Sequence, residues 1–131
     1  MTPITVTPIY AAAIAILMAV LSTRAGLLRG KHSVALGDGG NAELSLAIRR
    51  FGNLSEYAAM AVLLLLLMEL RGFATQWLHA FGATLLILRV LHPLALFDRM
   101  GAPAWQKVGR FVSAAGTAAL LSIGAIVLLV G

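Results

Sequence analysis

The sequence contains no cysteine. That excludes a disulfide framework, a thiolate metal site and a protein thiol acting as nucleophile. Charge is scarce as well: 11% of the 131 residues are Asp, Glu, Lys or Arg, and 60% are hydrophobic. A soluble domain carries about 25% charged residues, so this chain cannot coat a globular surface and the bilayer is its natural solvent. Acidic residues are the scarcer kind, five against ten basic ones. The basic excess sits at the ends of apolar runs, where it sets membrane orientation, so no nucleic acid is expected as a partner. The three histidines, His32, His79 and His92, lack HExxH spacing, and no metal is expected. The first ten residues hold no Lys or Arg. A secretory signal needs a positive start, so the first apolar run is expected to stay as a helix.

What is present is four apolar runs, expected to span the membrane at about 8–28, 42–70, 73–97 and 108–130 of one domain, 1–131. The fold class is therefore all-α, an integral membrane four-helix bundle. The second run is wholly apolar only from Ala58 to Met68. A span needs about 20 residues, so the membrane portion reaches back toward Arg50 and carries Asn53 and Glu56 with it. Pro8 suits a first helical turn. Asn41 is placed to cap the second helix, with Glu43 at its positive end. Gly37-Asp38-Gly39-Gly40 reads as a loop; without a Gly-Lys-Ser/Thr it is no phosphate cradle. Arg71-Gly72 is short enough for a hairpin of helices two and three. Gly101 and Pro103 break the chain before helix four.

With four spans, the first and third loops share a side. Arg24, Arg29, Lys31, Arg49, Arg50, Arg99, Lys107 and Arg110 fall there, Arg89 leans the same way, and the second loop offers only Arg71. The positive-inside rule puts both long loops in the cytoplasm and both termini outside. Small residues recur at packing spacing, Ala11/Ala15/Ala19 in helix one and Gly109/Ser113/Thr117 in helix four. Such stripes serve close helix approach within a bundle or between subunits.

Helix two carries a polar stripe. At about 100° per residue, Asn53 lies roughly 40° from Arg49 and Glu56 roughly 20° to the other side. Tyr57 flanks that face. Ionisable groups in a span cost a few kcal/mol each and must face protein, water or a polar ligand. In helix three, Arg89 and His92 share a face at i and i+3. Similar depth makes a Glu56–Arg89 ion pair across the hairpin the simplest expectation, either as a structural lock or as part of a site. His92, directly before Pro93, has the alternative task of serving a carbonyl near a proline kink. The surplus of Arg over carboxylate on this face suggests an anionic ligand.

Arg49-Arg50-Phe51-Gly52-Asn53-Leu54-Ser55-Glu56-Tyr57 resembles the R-x-x-x-N-x-x-E-Y signature of the MAPEG family, the membrane-associated proteins in eicosanoid and glutathione metabolism. Leu36-Gly37-Asp38-Gly39-Gly40 resembles the loop of its bacterial members, and Arg89-Val90-Leu91-His92 is similar to an R-x-x-H in helix three of one branch. The resemblance covers the whole chain. It implies a homotrimer in a bacterial inner membrane, with glutathione as cosubstrate in clefts between subunits, toward the cytoplasmic side. It implies a transferase or peroxidase acting on a lipophilic small molecule, an electrophile or hydroperoxide partitioned into the membrane lipid. By resemblance, Arg49, Asn53, Glu56 and Tyr57 hold glutathione, Arg89 and His92 line the cleft, Arg29 joins from helix one, and Arg99 is the candidate catalytic group. Where many enzymatic members carry Tyr one turn beyond the His, this chain has Leu96.

A free cysteine thiol has a pKa of about 8.5, so a guanidinium that lowers the bound thiol's value by about two units makes most of it thiolate at pH 7. The competing reading is a lipid-binding or scaffold protein of the same fold without chemistry. A small multidrug exporter also has four spans, but such exporters rely on a carboxylate in helix one, and this helix has no acidic residue.

Overall fold

The computed structural model describes residues 3–97 and 99–131. Four helices follow one another: α1 Thr7–His32, α2 Ala42–Leu70, α3 Thr75–Ala95 and α4 Ala104–Val130. Each is long and apolar enough to cross a membrane. α2 and α3 form the centre and touch every other helix, whereas α1 and α4 flank them without meeting. Large side chains on the outer faces stay uncovered, among them Ile16, Leu27, Ile87, Phe111 and Leu129. In water that surface would be an aggregation liability; in a bilayer it is the lipid-facing face. The fold is an all-α membrane four-helix bundle, as the apolar runs led us to expect.

α1 and α4 run longer than expected, and α3, at Thr75–Ala95, falls short of its expected bounds at both ends. α1 continues to His32, because Arg29, Lys31 and His32 suit the negative end of a helix and Ser33, at φ 54°, ends it in the left-handed conformation. α4 begins at Ala104, directly after Pro103. The cap of α2 is as expected: Asn41 Oδ1 accepts from the Leu44 amide at 2.9 Å. Gly37, Gly39 and Gly40 all have positive φ in the turn before it, a region open to glycine.

α1 has no side-chain cap of its own; Val6 precedes it. The acceptor comes from α2 instead. Glu69 takes the amides of Thr5 and Val6 on Oε1 at 2.6 and 2.7 Å, and that of Thr7 on Oε2 at 2.7 Å. A carboxylate against the positive end of a helix satisfies orphan donors and the dipole together. The contact also ties the start of α1 to the end of α2, and so fixes their antiparallel register.

The main core runs between α1, α2 and α3 through Ile14, Leu54, Ala61, Leu65, Phe81 and Leu85. Close approach depends on missing side chains. A Cβ on Gly82 would collide with the Tyr10 ring, one on Gly109 would lie 2.9 Å from the Ala95 Cβ, and one on Gly116 would lie 2.9 Å from Leu88. The stripe of Gly109, Ser113 and Thr117 is buried against α3, within the bundle. Ala15 and Ala19 on α1 remain exposed.

Candidate functional site

The helix-two stripe lies at the basic end of the bundle, and its residues divide into an outer and an inner set. Arg49 and Glu56 point outward. Arg49 Nη1 lies 3.2 Å from Glu56 Oε1, and the two side chains keep 59% and 53% of their surface open. They are seven residues apart, two turns on one face. Gly52 lies beneath the pair: a Cβ there would sit 3.9 Å from Arg49 Nη1 and 4.0 Å from Glu56 Oε1. An ion pair this exposed contributes little to stability. It presents one fixed positive and one fixed negative group side by side.

The inner set centres on Arg89, 1% exposed. The expected Glu56–Arg89 ion pair does not form. Arg89 turns toward α4 instead, where the small-residue stripe leaves both space and acceptors. Its Nη1 donates to Asn53 Oδ1 at 2.7 Å, and its Nη2 donates to the Ser113 carbonyl at 3.0 Å and to Thr117 Oγ1 at 2.6 Å. Thr117 Oγ1 itself donates a hydrogen bond to the Ser113 carbonyl at 2.7 Å. The Tyr57 ring lies 5.8 Å from the guanidinium carbon, within cation–π reach. Nε is buried without a hydrogen-bond partner among the described residues. Arg89 is thus a buried cation held by neutral groups and one ring face.

A guanidinium can only donate, so Asn53 must turn its oxygen inward to Arg89. Its NH2 group is then left uncommitted to Arg89, on a half-buried residue of the helix face that also carries Arg49 and Glu56. His92 is buried below this layer, 5% exposed.

Arg29 and Arg99 lie elsewhere. Arg29 Nη1 donates to the Gly37 carbonyl at 2.8 Å and fastens the turn between α1 and α2. Arg99 lines a cavity of about 550 Å³ at the α3–α4 junction, together with Arg50 and Gln106. A neighbouring cavity of about 330 Å³ has Arg49 and Arg110 on its walls. Leu46, Leu96 and Phe97 floor both, and Arg110 stacks over Phe97 at 5.1 Å. The two hollows are lobes of one depression edged by four arginines. Within one chain the structure therefore gathers Arg49, Asn53, Glu56, Tyr57 and Arg89 into one cluster, sets Arg99 across the depression, and leaves Arg29 on the loop.

Sequence reasoning missed Ser113 and Thr117 as partners of Arg89. Their signal was present, two hydroxyls on a packing stripe, but read as size alone. It also missed Glu69, whose signal was a lone carboxylate at the end of a span in a chain whose first helix lacks a capping residue.

Four membrane-crossing helices with a polar cluster at one bundle end define a small integral membrane protein. A model of the MAPEG family matches residues 7–129, and the chain belongs to that family. It is similar to the inner membrane protein YecN of Escherichia coli strain K12, 37% identical over 118 residues, which cover 90% of this chain and 87% of that protein. The protein of the same name from Escherichia coli O6:H1 matches to the same extent. No solved structure matches significantly.

Proposed function

We propose that this protein is a glutathione-dependent transferase or peroxidase of a bacterial inner membrane, acting on lipophilic electrophiles or hydroperoxides. The observation that carries the reading is the exposed Arg49–Glu56 pair on the helix face of Asn53, whose oxygen is taken by Arg89. The γ-glutamyl end of glutathione is a zwitterion, an ammonium next to a carboxylate. Arg49 matches the carboxylate as a fork, Glu56 matches the ammonium, and Asn53 donates to the adjoining peptide carbonyl. In the MAPEG trimer a cleft between subunits completes the site, with Tyr57 on its wall and Arg29 beside it. Arg89 and His92 support it from below, Arg89 through Asn53. The basic rim supports loops on the cytoplasmic side, where glutathione is available, with the termini on the other side.

Arg99 is the group assigned to the thiol, since it edges the same depression from the α3–α4 junction. A guanidinium near sulfur favours the thiolate. The thiolate attacks an electrophilic carbon, forming a C–S bond and releasing the leaving group. With a hydroperoxide it attacks the outer oxygen, an S–O bond forms as the O–O bond breaks, the alkoxide takes a proton to leave as the alcohol, and glutathione sulfenic acid remains. A second glutathione thiol then displaces water and gives the disulfide.

A second reading, a lipid-binding scaffold without chemistry, is favoured by Leu96, whose side chain supplies no hydroxyl to the site. One experiment separates the two. Calorimetric titration of glutathione into the detergent-solubilised protein is expected to show saturable binding, lost or strongly weakened in Arg49→Ala. A folded protein that takes no glutathione overturns the enzyme reading and leaves the scaffold.

A further inference from the structure

A second basic feature lies on another side of the bundle. Between α1 and α3 runs a groove of about 350 Å³. Leu17 and Leu21 form its α1 wall, Val90, Pro93 and Leu94 form its α3 wall, and Arg24 and Arg50 close one end. Its polarity is ordered by depth. Leu17, Leu21 and Arg24 fall at i, i+4 and i+7, on one face of α1. At 1.5 Å per residue, the apolar floor runs roughly 10 Å from the cationic end toward the middle of the span. Val90 and Leu94 on the facing wall are 41% and 61% exposed, so the groove opens sideways. Both helices are long and apolar enough to cross a membrane, so the groove opens sideways at bilayer depth.

Arg24 is exposed, next to the exposed Ser22 and Thr23, and it makes no hydrogen bond or ion pair among the described residues. Arg50 approaches from α2, its Nη2 giving a hydrogen bond to the Leu96 carbonyl at 3.3 Å. The groove thus has two guanidinium groups at headgroup depth and a continuous hydrocarbon wall leading inward. A phospholipid has the same order, a phosphate at the surface and an acyl chain below. Basic pockets between membrane helices are sites for anionic headgroups, and a guanidinium receives phosphate in a fork.

We propose that the α1–α3 groove is a binding site for an anionic phospholipid from the leaflet beside the two long loops, with its phosphate at Arg24 and Arg50 and one acyl chain along Leu17, Leu21 and Val90. The groove shares Arg50 with the depression at the α3–α4 junction but none of its residues with the Arg49–Asn53–Glu56 cluster, and the proposal does not rest on glutathione binding.

The test uses the full chain, delipidated in mild detergent. Thermal unfolding and native mass spectrometry are followed with phosphatidylglycerol, phosphatidylcholine or glycerol 3-phosphate added. Two variants are compared: Arg24→Gln, which removes an exposed cation, and Val90→Trp, which fills the groove. Phosphatidylglycerol is expected to bind and raise the unfolding temperature more than phosphatidylcholine. Arg24→Gln is expected to weaken that binding roughly fivefold, the worth of one guanidinium near an anionic surface. Val90→Trp is expected to abolish the preference while the apparent unfolding temperature without lipid changes little. Three results overturn the proposal. The two lipids stabilise equally, as an unspecific belt would; both variants keep the full preference; or glycerol 3-phosphate alone matches the intact lipid, which makes the site one for a soluble anion.

Discussion

Arg89 donates from Nη1 to Asn53 Oδ1 at 2.7 Å, and this one contact fixes which way round the Asn53 amide stands. A buried arginine thereby decides which atoms of Asn53 remain for any other partner. Asn53→Asp tests the relationship. The carboxylate still accepts from Arg89, and replaces a neutral partner by a charged one, so the fold is expected to hold. The NH2 donors are gone, and glutathione affinity is expected to fall about 3–10-fold, the worth of one hydrogen bond. Calorimetry on the folded variant reads it; unchanged affinity would show that Asn53 does not present donors.

Arg89 itself is expected to be more sensitive to lysine than its charge suggests. Lysine keeps the buried cation but lacks the planar fork that reaches Asn53, the Ser113 carbonyl and Thr117 at once. Arg89→Lys is expected to cost roughly 1–3 kcal/mol through acceptors left without donors. Unfolding in detergent measures it, and wild-type stability would contradict the network described.

Glu69 is expected to matter for stability alone. Glu69→Gln leaves one acceptor oxygen for three amides and adds a donor where donors already converge. The loss expected is roughly 3 kcal/mol, since bonds to a charged acceptor are worth about 1.5–3 kcal/mol each. Hydrogen exchange should quicken at Val6 and Thr7 first. Fast exchange elsewhere with these two amides protected would refute the cross-helix cap.

Gly82 and Gly26 make a matched pair. A Cβ at Gly82 meets the Tyr10 ring, whereas one at Gly26 meets nothing within 4 Å. Gly82→Ala is expected to displace Tyr10, break its 2.9 Å hydrogen bond with His79 Nδ1 and cost roughly 1–3 kcal/mol. Gly26→Ala is expected to be neutral or stabilising by up to about 1 kcal/mol, from helix propensity. Equal effects would mean that α1 and α3 are not in contact there.

The α1–α2 loop has a defined acid limit. The Gly40 amide donates to Asp38 at 2.9 Å, and that bond is the main reason the Asp38 carboxyl lies below its usual 3.8. A depressed carboxylate stabilises fully above its unfolded value and loses that contribution as pH falls through the folded one. The loop is therefore expected to keep its form from neutral pH down to about 4 and to loosen below that. Exchange at Gly40 follows it. Asp38→Asn, which keeps an acceptor without titrating, is expected to flatten the response.

Much of this molecule follows from local rules. The four spans are legible because only a run of about 20 apolar residues crosses a bilayer. The Asn41 cap is local too, a side chain reaching an amide three residues on. The placing of Arg49 and Glu56 together follows from helical period, which fixes the angle between residues of one helix whatever surrounds it. What the period leaves open is the rotation of each helix about its axis and the identity of the neighbour it faces. Those are set by packing between helices, where small residues allow close approach and polar groups seek whatever acceptor lies within reach. Hence Arg89 found Asn53, Ser113 and Thr117 and not Glu56, and Glu69 found the start of α1. The sequence by itself determined the spans, the basic end and the stripe of polar groups; only the tertiary structure decided which of those groups face inward as support and which face outward as a site, because that choice depends on contacts between residues far apart in the chain.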